Sequence, residues 1–465
     1  MNTAEHVHFI GIGGYGMSAI ARVMLEMGYK VSGSDVALQE LTEKLVAKGA
    51  QVYVGHKADQ VQGADLVVYS TALTQDNVER RAAEENNIPI IHRAQMLSRL
   101  MNAGKGIAVA GAHGKTTTSS MIALVMENCN LDPTYIIGGE IVNVGTNAKA
   151  GKGEYVVAEA DESDGSFLQY HPYIGIVTNI EADHLENYDG DFDKLKAAYA
   201  QFLLQVKPEG RAVLCSDDEL IRELVPELRR SGGSAVQRQI ITYGVEEGAD
   251  YLADEIELGD RKISFRVNYE GEALGRIELF VPGMHNVCNS LAAVVTCLEA
   301  GVPFDAIAEA IKEFRGAKRR FQVLGETNDI LVIDDYAHHP TEIQATISAA
   351  KATDKRIIAV FQPQRYSRTF FLLDAFSRAF AEADEVIITD IYSPAGEKKI
   401  EGVSSTRLVD MIRKNSNSKA THIPTKEEVQ IYLEKHVAPG DLVLTMGAGD
   451  IWKAADHLAK WLRSN

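Results

Sequence analysis

A chain of 465 residues exceeds what one hydrophobic core usually organises, so length alone implies roughly three domains of about 150 residues. Hydrophobic residues make up 45% and charged residues 24%, an ordinary globular balance, while 47 basic against 65 acidic side chains give a formal charge of −18. So acidic a surface argues against nucleic acid or an anionic membrane as the main partner; an anionic ligand must meet backbone dipoles, a few placed basic groups or a bound cation. The four cysteines, Cys129, Cys215, Cys288 and Cys297, form no CxxC pair. They predict scattered reduced thiols inside a cell, and neither a disulfide scaffold nor a zinc site. The opening MNTAEHVHFIGIGG has no basic leader region, and no run of about 18 apolar residues occurs. The expectation is a cytoplasmic protein without membrane insertion.

Short β-branched runs alternate with longer amphipathic segments, the pattern of α/β architecture with mostly parallel sheets. First comes a strand over HVHFI (6–10), a glycine turn, and a helix with Met17, Ile20, Ala21, Met24 and Leu25 on one face. Strands follow at KVSGSD (30–35), AQVYVG (50–55), ADLVVYS (64–70) and IPIIHR (88–93), and MNAGKG (101–106) reads as a linker. A second domain begins with GIAVAG (106–111), continues through EYVVAEADESD (154–164) and IGIVTNIEADH (174–184), and ends in a turn and helix over 281–301. Between these, alternating runs from about 239 to 280 predict antiparallel strands appended to the parallel sheet. The break at RGAKRRF (315–321) opens a third domain, with strands in ILVIDDYAHHP (330–340), RIIAVFQPQRYSRT (356–369), EVIITD (385–390) and DLVLTMGAGD (441–450). Open α/β sheets gather ligands in the loops at such strand ends.

Two glycine loops carry the strongest chemistry. GIGGYG has the GxGxxG spacing between a strand and a helix, so backbone N–H groups and a helix N-terminus can meet a pyrophosphate. Asp35, ending the next strand, is placed for a ribose hydroxyl, and the motif does not separate NAD from another nucleotide diphosphate. AVAGAHGKTTT fails the eight-position P-loop pattern, but Gly111 starts a shortened G-x-x-G-K-T-T loop. There N–H groups cradle phosphates, Lys115 neutralises charge and a threonine hydroxyl can reach Mg²⁺. Glu159, Asp161, Glu162 and Asp164, with Asp183 and His184, supply strand-end groups suited to that ion. DDYAHHPTE concentrates titratable groups beside an aromatic, and QPQRYSRT offers Arg365 and Arg368 for gripping carboxylate or phosphate.

Taken in order, GIGGYGMSAIA, GAHGKTTT, EADESDGSFL, TNIEADH, PGMHNVCN, RRFQ, DDYAHHPTEI, QPQRYSRT and TMGAGDI closely resemble the Mur ligase family, over residues 9 to 451. The resemblance implies a Rossmann-like N-terminal domain for a UDP-sugar (1–104), a central P-loop ATPase-type α/β domain with added antiparallel strands (105–316), and a C-terminal Rossmann-like α/β domain admitting an amino acid (317–465). It assigns Gly11, Gly13, Gly14, Gly16, Asp35, Ser70, Thr71 and Arg93 to the UDP-sugar. Gly111, Ala112, His113, Gly114, Lys115, Thr116, Thr117, Asn286, Asn289, Arg320 and Asp335 fall to ATP. Thr116, Glu159 and His184 fall to Mg²⁺, and Tyr336 and His338 to the amino acid, with Lys115, His338, Arg365 and Arg368 catalytic. The chain departs from the pattern at Gln364, where many members carry His, so no proton-transfer role is assigned there. Lys194 and Lys196 lie where other members carry a carbamylated lysine, and no modification is assigned to them.

The activity so implied joins L-alanine to the carboxylate of UDP-N-acetylmuramate in peptidoglycan precursor synthesis, with ATP as co-substrate and a monomer or homodimer as the acting form. A rival within the family attaches a murein tripeptide to the same sugar. A nicotinamide oxidoreductase leaves GAHGKTTT unexplained, and a non-catalytic nucleotide sensor leaves the metal and phosphate groups without purpose. A carboxylate is a poor electrophile; transfer of the γ-phosphoryl group makes an acyl phosphate that an amine can attack. Excluding water from that intermediate is a physical reason for domains that close over their substrates.

Overall fold

The computed structural model describes residues 5–70, 73–163, 165–231, 239–259, 262–393 and 397–464, and places three sheets along the chain. The first contains β1 (His6–Ile10), β2 (Lys30–Asp35), β3 (Gln51–Val54), β4 (Leu66–Tyr69) and β5 (Ile90–His92) in the order β3-β2-β1-β4-β5. All its pairings are parallel. Every residue of β1 is buried, as expected of a central strand covered on both faces by helices. One of them, Tyr15–Glu26, buries Met17, Ile20, Ala21 and Met24 of the face read from the sequence, while Leu25 is only partly buried.

Against this sheet lies a buried polar network. Glu79 and His8 are fully buried, and Glu79 Oε2 is 2.7 Å from His8 Nε2 and accepts from Ser34 Oγ at 2.9 Å. His56 Nδ1 lies 2.8 Å from Glu79 Oε1. Burial alone raises a carboxyl, but bonds from His8, Ser34 and His56 outweigh it and hold Glu79 below its ordinary range.

The second sheet has ten strands: β6 (Lys105–Ala110), β7 (Thr134–Ile141), β8 (Thr146–Lys149), β9 (Tyr155–Glu159), β10 (Ile174–Val177), β11 (Arg211–Cys215), β12 (Ile240–Gly244), β13 (Tyr251–Leu258), β14 (Ile263–Tyr269) and β15 (Glu272–Leu279). Their order is β15-β14-β13-β12-β11-β10-β6-β9-β7-β8. The antiparallel reading of 239–280 needs correction at its start. β12 runs parallel to β11, with Ala212 beside Ile240 and Cys215 beside Tyr243, and its short pairing with β13 is parallel too. Side-chain alternation has the same period in both orientations, so it cannot report strand direction. Only from β13 onward do short connections, such as Glu270–Gly271 between β14 and β15, demand antiparallel neighbours.

The supposed linker at 101–106 also needs correction. The helix Arg93–Ala103 runs into it, Gly104 ends the helix, and β6 begins at Lys105. A Cβ on Gly104 would sit 2.7 Å from the Glu154 carbonyl oxygen, so this glycine serves close packing and not chain freedom.

The third sheet is ordered β16-β17-β21-β18-β19-β20. Its strands are β16 (Gln322–Thr327), β17 (Ile330–Asp335), β18 (Arg356–Phe361), β19 (Glu385–Ile388), β20 (Ala420–His422) and β21 (Asp441–Met446). Only β16 is antiparallel to its neighbour. Two cores flank it, one around Phe361, Phe376 and Phe380, the other around Val360, Val443 and Leu458.

By internal contacts the chain gathers into two compact units. One spans Met1–Asp254, Arg266–Ile277 and Cys288–Phe314; the other spans Glu255–Phe265, Glu278–Val287 and Arg315–Asn465. Among the described residues no helix is long and apolar enough to cross a membrane.

Gly33 in β2 is a point where the first sheet admits no side chain. A Cβ there would lie 2.6 Å from the Phe9 carbonyl oxygen and 2.6 Å from Ile12 Cδ1. Gly33→Ala is therefore expected to destabilise the chain by about 1–3 kcal/mol, the usual cost of overpacking. Urea unfolding followed by circular dichroism checks this, and an unchanged midpoint would contradict it.

Candidate active site

The first glycine loop leaves β1 and enters the helix Tyr15–Glu26. The N–H groups of Gly11 and Ile12 donate to the Ser34 carbonyl at 2.8 and 3.0 Å, tying the loop to β2. Asp35, expected to face a ribose hydroxyl, has its carboxylate turned onto the protein itself. Its Oδ2 accepts from Gly13 N at 2.8 Å and its Oδ1 from Val36 N at 2.8 Å. Gly14 caps the helix, and Ser70 sets its hydroxyl beside Gly11. Arg93 opens the helix after β5, beside Gly16, with Nη2 3.8 Å from Asp161 Oδ2. It thus joins the first sheet's loop to the acidic strand end of the second. Thr71 and Asp164 lie outside the described residues.

The second loop leaves β6 and enters the helix Lys115–Asn128. Gly111 and Gly114 adopt φ of +131° and +84°, backbone that other residues rarely take. Any Cβ at these positions would collide with Thr178 Oγ1 and Asn289 Oδ1 respectively. The residues after β10 clamp the loop from below. Asn179 Oδ1 accepts from His113 N at 2.9 Å, and Asn179 Nδ2 donates to the His113 carbonyl at 3.0 Å. His113 Nε2 is also 3.3 Å from Glu181 Oε2.

Lys115 folds its ammonium back over this loop. It donates to the carbonyls of Gly111 and Ala112, the latter at 3.2 Å, and to both oxygens of Glu162 at 2.9 and 3.0 Å. Burial disfavours the ammonium, yet Glu162 and Asp161 outweigh it and raise the lysine further. For Asp161 burial is again outweighed, by Lys115, bonds from Ser163 and Arg93, so its carboxyl stays below the ordinary range. Thr116 and Thr117 are buried in the helix's first turn, and Asn289 Oδ1 accepts from Thr118 Oγ1 at 3.3 Å.

Glu159 ends β9 half-buried, with Oε1 accepting from Gly138 N at 2.6 Å. His184 sits in left-handed backbone at φ +54°, its Nε2 3.6 Å from Asp183 Oδ2. Among the described residues, neither belongs to a group of three His, Cys, Asp or Glu ligand atoms lying together. Lys194 and Lys196 pair with Asp189 and Asp193 on the surface.

In the second unit, β17 ends in two buried aspartates. Asp334 accepts from Arg319 Nε at 2.9 Å and Thr445 Oγ1 at 2.7 Å. Asp335, expected near ATP, accepts from Phe321 N at 2.7 Å and Ala337 N at 2.6 Å, so it pins the RRF segment to the strand end. The Tyr336 ring carries Arg319 and Arg320 guanidinium groups 5.1 and 5.0 Å from its centroid, and the His338 ring edge-on at 5.2 Å. His338 Nδ1 lies 2.9 Å from the Tyr336 carbonyl, and Glu342 Oε2 accepts from His338 N at 2.8 Å. Asn286 is buried, donating to the Pro282 carbonyl at 2.6 Å. Arg365 adopts φ +66°, and Arg368 donates to Gln364 Oε1 at 3.0 Å.

Three family models cover most of the chain: the Mur ligase family catalytic domain at residues 6–105, the Mur ligase middle domain at 109–297, and the Mur ligase glutamate ligase domain at 319–449. The chain belongs to the Mur ligase family. Among the relatives of this Mur ligase, the UDP-N-acetylmuramate–L-alanine ligase of Pelotomaculum thermopropionicum is 50% identical, covering 100% of this chain and 99% of that one. The Symbiobacterium thermophilum enzyme of the same name is 47% identical, covering 100% and 96%. The crystal structure of UDP-N-acetylmuramate–alanine ligase from Thermotoga maritima superposes with a TM-score of 0.81 at 29% identity, over 99% of both chains. A murein peptide ligase from Psychrobacter arcticus shares the fold, with a TM-score of 0.71 at 23% identity over 99% of each chain.

Sequence reasoning missed two structural residues of this Mur ligase and the partner of a third. Asn179 shapes the phosphate loop and Arg319 locks β17 to the carbonyls of Gly447 and Gly449, while Glu162, read as a group suited to the ion, is the counter-ion of Lys115. Polar residues inside EADESD, TNIEADH and KRR were the available signal; the pairing itself depends on chain-distant partners.

Burial pushes Asp335 from 3.8 up to about 7, although Arg320 and the two backbone N–H bonds act the other way. The folded chain therefore keeps a proton that the unfolded chain has already lost, and this site's contribution to stability falls as pH rises across that interval. Asn carries no such charge. The Asp335→Asn variant should thus melt below the parent by a margin that shrinks from pH 5 to pH 8. Thermal melts of both proteins at the two pH values check this, and a margin that widens would contradict it.

Proposed function

We propose that the chain joins L-alanine to the carboxylate of UDP-N-acetylmuramate at the expense of ATP, in peptidoglycan precursor synthesis. The observation that carries the reading is the Gly111–Lys115 loop, where backbone N–H groups, a helix N-terminus and one paired ammonium converge. Full-length relatives bearing that activity in their names support the choice of substrates.

In this assignment the Gly11–Gly16 loop, shaped by Asp35 and flanked by Ser70 and Arg93, takes the UDP-sugar, with Thr71 on the same side of the family pattern. Gly111 to Thr117 with Asn289 hold the ATP phosphates, and the family resemblance assigns Asn286, Arg320 and Asp335 to the nucleotide as well. Thr116, Glu159 and His184 would hold Mg²⁺, which supplies charge neutralisation on phosphoryl oxygens when bound. Lys115 is held by Glu162 and two carbonyls, so it exchanges those partners for a phosphate oxygen without a change of charge. Tyr336 and His338 receive the amino acid, and Arg365 and Arg368 align the carboxylate and phosphoryl group. The acting protein is cytoplasmic, as a monomer or homodimer.

Lys115→Ala is expected to lower turnover at least about 10²-fold while UDP-N-acetylmuramate still binds, because the two loops belong to different sheets. Phosphate release beside calorimetric titration of the sugar measures both. Loss of sugar binding in a folded variant would count against the assignment of the loops.

The intermediate provides the sharper test. If the sugar's carboxylate attacks the γ-phosphorus, one of its oxygens becomes the bridge of an acyl phosphate and leaves with phosphate when the amine attacks. UDP-N-acetylmuramate labelled with ¹⁸O in the carboxylate should pass one label into inorganic phosphate during turnover with L-alanine. Unlabelled phosphate accompanying amide formation would overturn the acyl-phosphate route, and turnover with a murein tripeptide but not L-alanine would overturn the substrate.

A further inference from the structure

Two of the cysteines read from the sequence as scattered thiols meet in the fold. Cys215 ends β11 and is buried, while Cys288 sits half-buried on the helix Met284–Glu299. Their sulfurs lie within 4.8 Å of each other. Asp217, two residues beyond Cys215, brings Oδ2 to 3.4 Å from Cys288 Sγ, and the two sulfurs and the carboxylate oxygen all lie within 4.8 Å of one another. The catalytic assignment uses none of the three.

The carboxylate is held in place for this arrangement. Val245 N donates to its Oδ1 and Oδ2 at 3.0 and 2.9 Å, and Glu246 N donates to Oδ1 at 3.0 Å. Gly244 leaves the room it occupies, since any Cβ there would overlap Oδ1. Behind Cys215 the fully buried Tyr243 ring closes the site, with its hydroxyl bonded to the Cys215 thiol. Outer bonds that fix the direction of a ligand oxygen are characteristic of built metal sites.

We propose that Cys215, Asp217 and Cys288 form a binding site for a borderline-soft divalent cation of the zinc type. A tetrahedral ion with metal–sulfur bonds of about 2.3 Å and a metal–oxygen bond of about 2.1 Å sets its ligand atoms about 3.6–3.8 Å apart. Asp217 Oδ2 already stands 3.4 Å from Cys288 Sγ, and all three ligand atoms lie within 4.8 Å of one another. Two thiolates select against Mg²⁺, which requires oxygen, so the site does not compete for the ion of the nucleotide. Three protein ligands leave the fourth position to water. On binding, each thiol gives up its proton to the buffer, and two metal–sulfur bonds replace two S–H bonds. Half-exposed Cys288 provides the way in.

The reduced full-length protein, titrated with Co²⁺ without nucleotide or sugar, tests the site. A thiolate-to-cobalt charge-transfer band in the near ultraviolet and tetrahedral d–d bands in the visible should saturate at one ion per chain, and Zn²⁺ should abolish them. In Cys288→Ser the charge-transfer intensity per bound ion should fall to about half and the affinity by about 10-fold or more. Cys129→Ser should leave both unchanged. Because a cysteine variant can fail to fold, the parent chain is also alkylated with iodoacetamide, with and without Zn²⁺, and its peptides are mapped by mass. Slower labelling of Cys288 but not Cys129 supports the site. No thiolate band in the parent, a full-strength band in Cys288→Ser, or equal labelling with and without Zn²⁺ would each overturn it.

Discussion

The pairing of Lys115 with Glu162 is the constraint around which the central sheet is arranged. Both side chains are largely withdrawn from water, 17% and 4% exposed, so neither charge is affordable without the other. Removing one partner of such a pair typically costs about 3–5 kcal/mol, whereas the intact pair adds little net stability. Its value is positional. It fixes an ammonium at the mouth of a helix whose first turn already offers backbone N–H groups. That placement requires β6 and β9 to be neighbours, since one delivers the loop and the other delivers the acidic segment. It also requires β10 beside β6, because Thr178 and Asn179 hold the His113 carbonyl of the same loop.

The same logic recurs in the other two sheets with different chemistry. In the first, Asp35 takes the N–H of Gly13 and so sets the curvature of the glycine loop, while the buried network around Glu79 stiffens the strands beneath it. In the third, Asp334 and Asp335 divide the work at one strand end, one anchoring Arg319 and the other the backbone of Phe321 and Ala337. In each case a carboxylate spends its hydrogen-bonding capacity on the scaffold, and the surface left for ligands is made of backbone, aromatic face and guanidinium. Carboxylates shape these loops.

Much of this was legible beforehand where the signal is local. β1 and β2 begin and end where the β-branched runs do, and both glycine loops stand between a strand and a helix as their spacing requires. The failures share a physical cause. Gly104 looked like a flexible joint because a sequence does not display the carbonyl packed against it. The direction of β12 was invisible because alternation is blind to orientation. Asp35 ends β2 where the sequence placed it, but its bond from the N–H of Gly13, three residues past β1, was hidden because the two stand 22 positions apart. Cys215 and Cys288 meet only through tertiary packing, which no spacing rule anticipates.

Arg365 holds a conformation that its own backbone disfavours. A non-glycine residue at φ +66° costs on the order of 1 kcal/mol, and here the N–H is kept there by the Tyr392 carbonyl at 2.9 Å. The position therefore sets heat tolerance against the aligning role proposed for Arg365. A population selected only for survival of the fold at high temperature would drift toward glycine there, gaining backbone comfort and losing a guanidinium. Retention of arginine through such a selection would measure, in the currency of growth, how much the organism depends on that side chain.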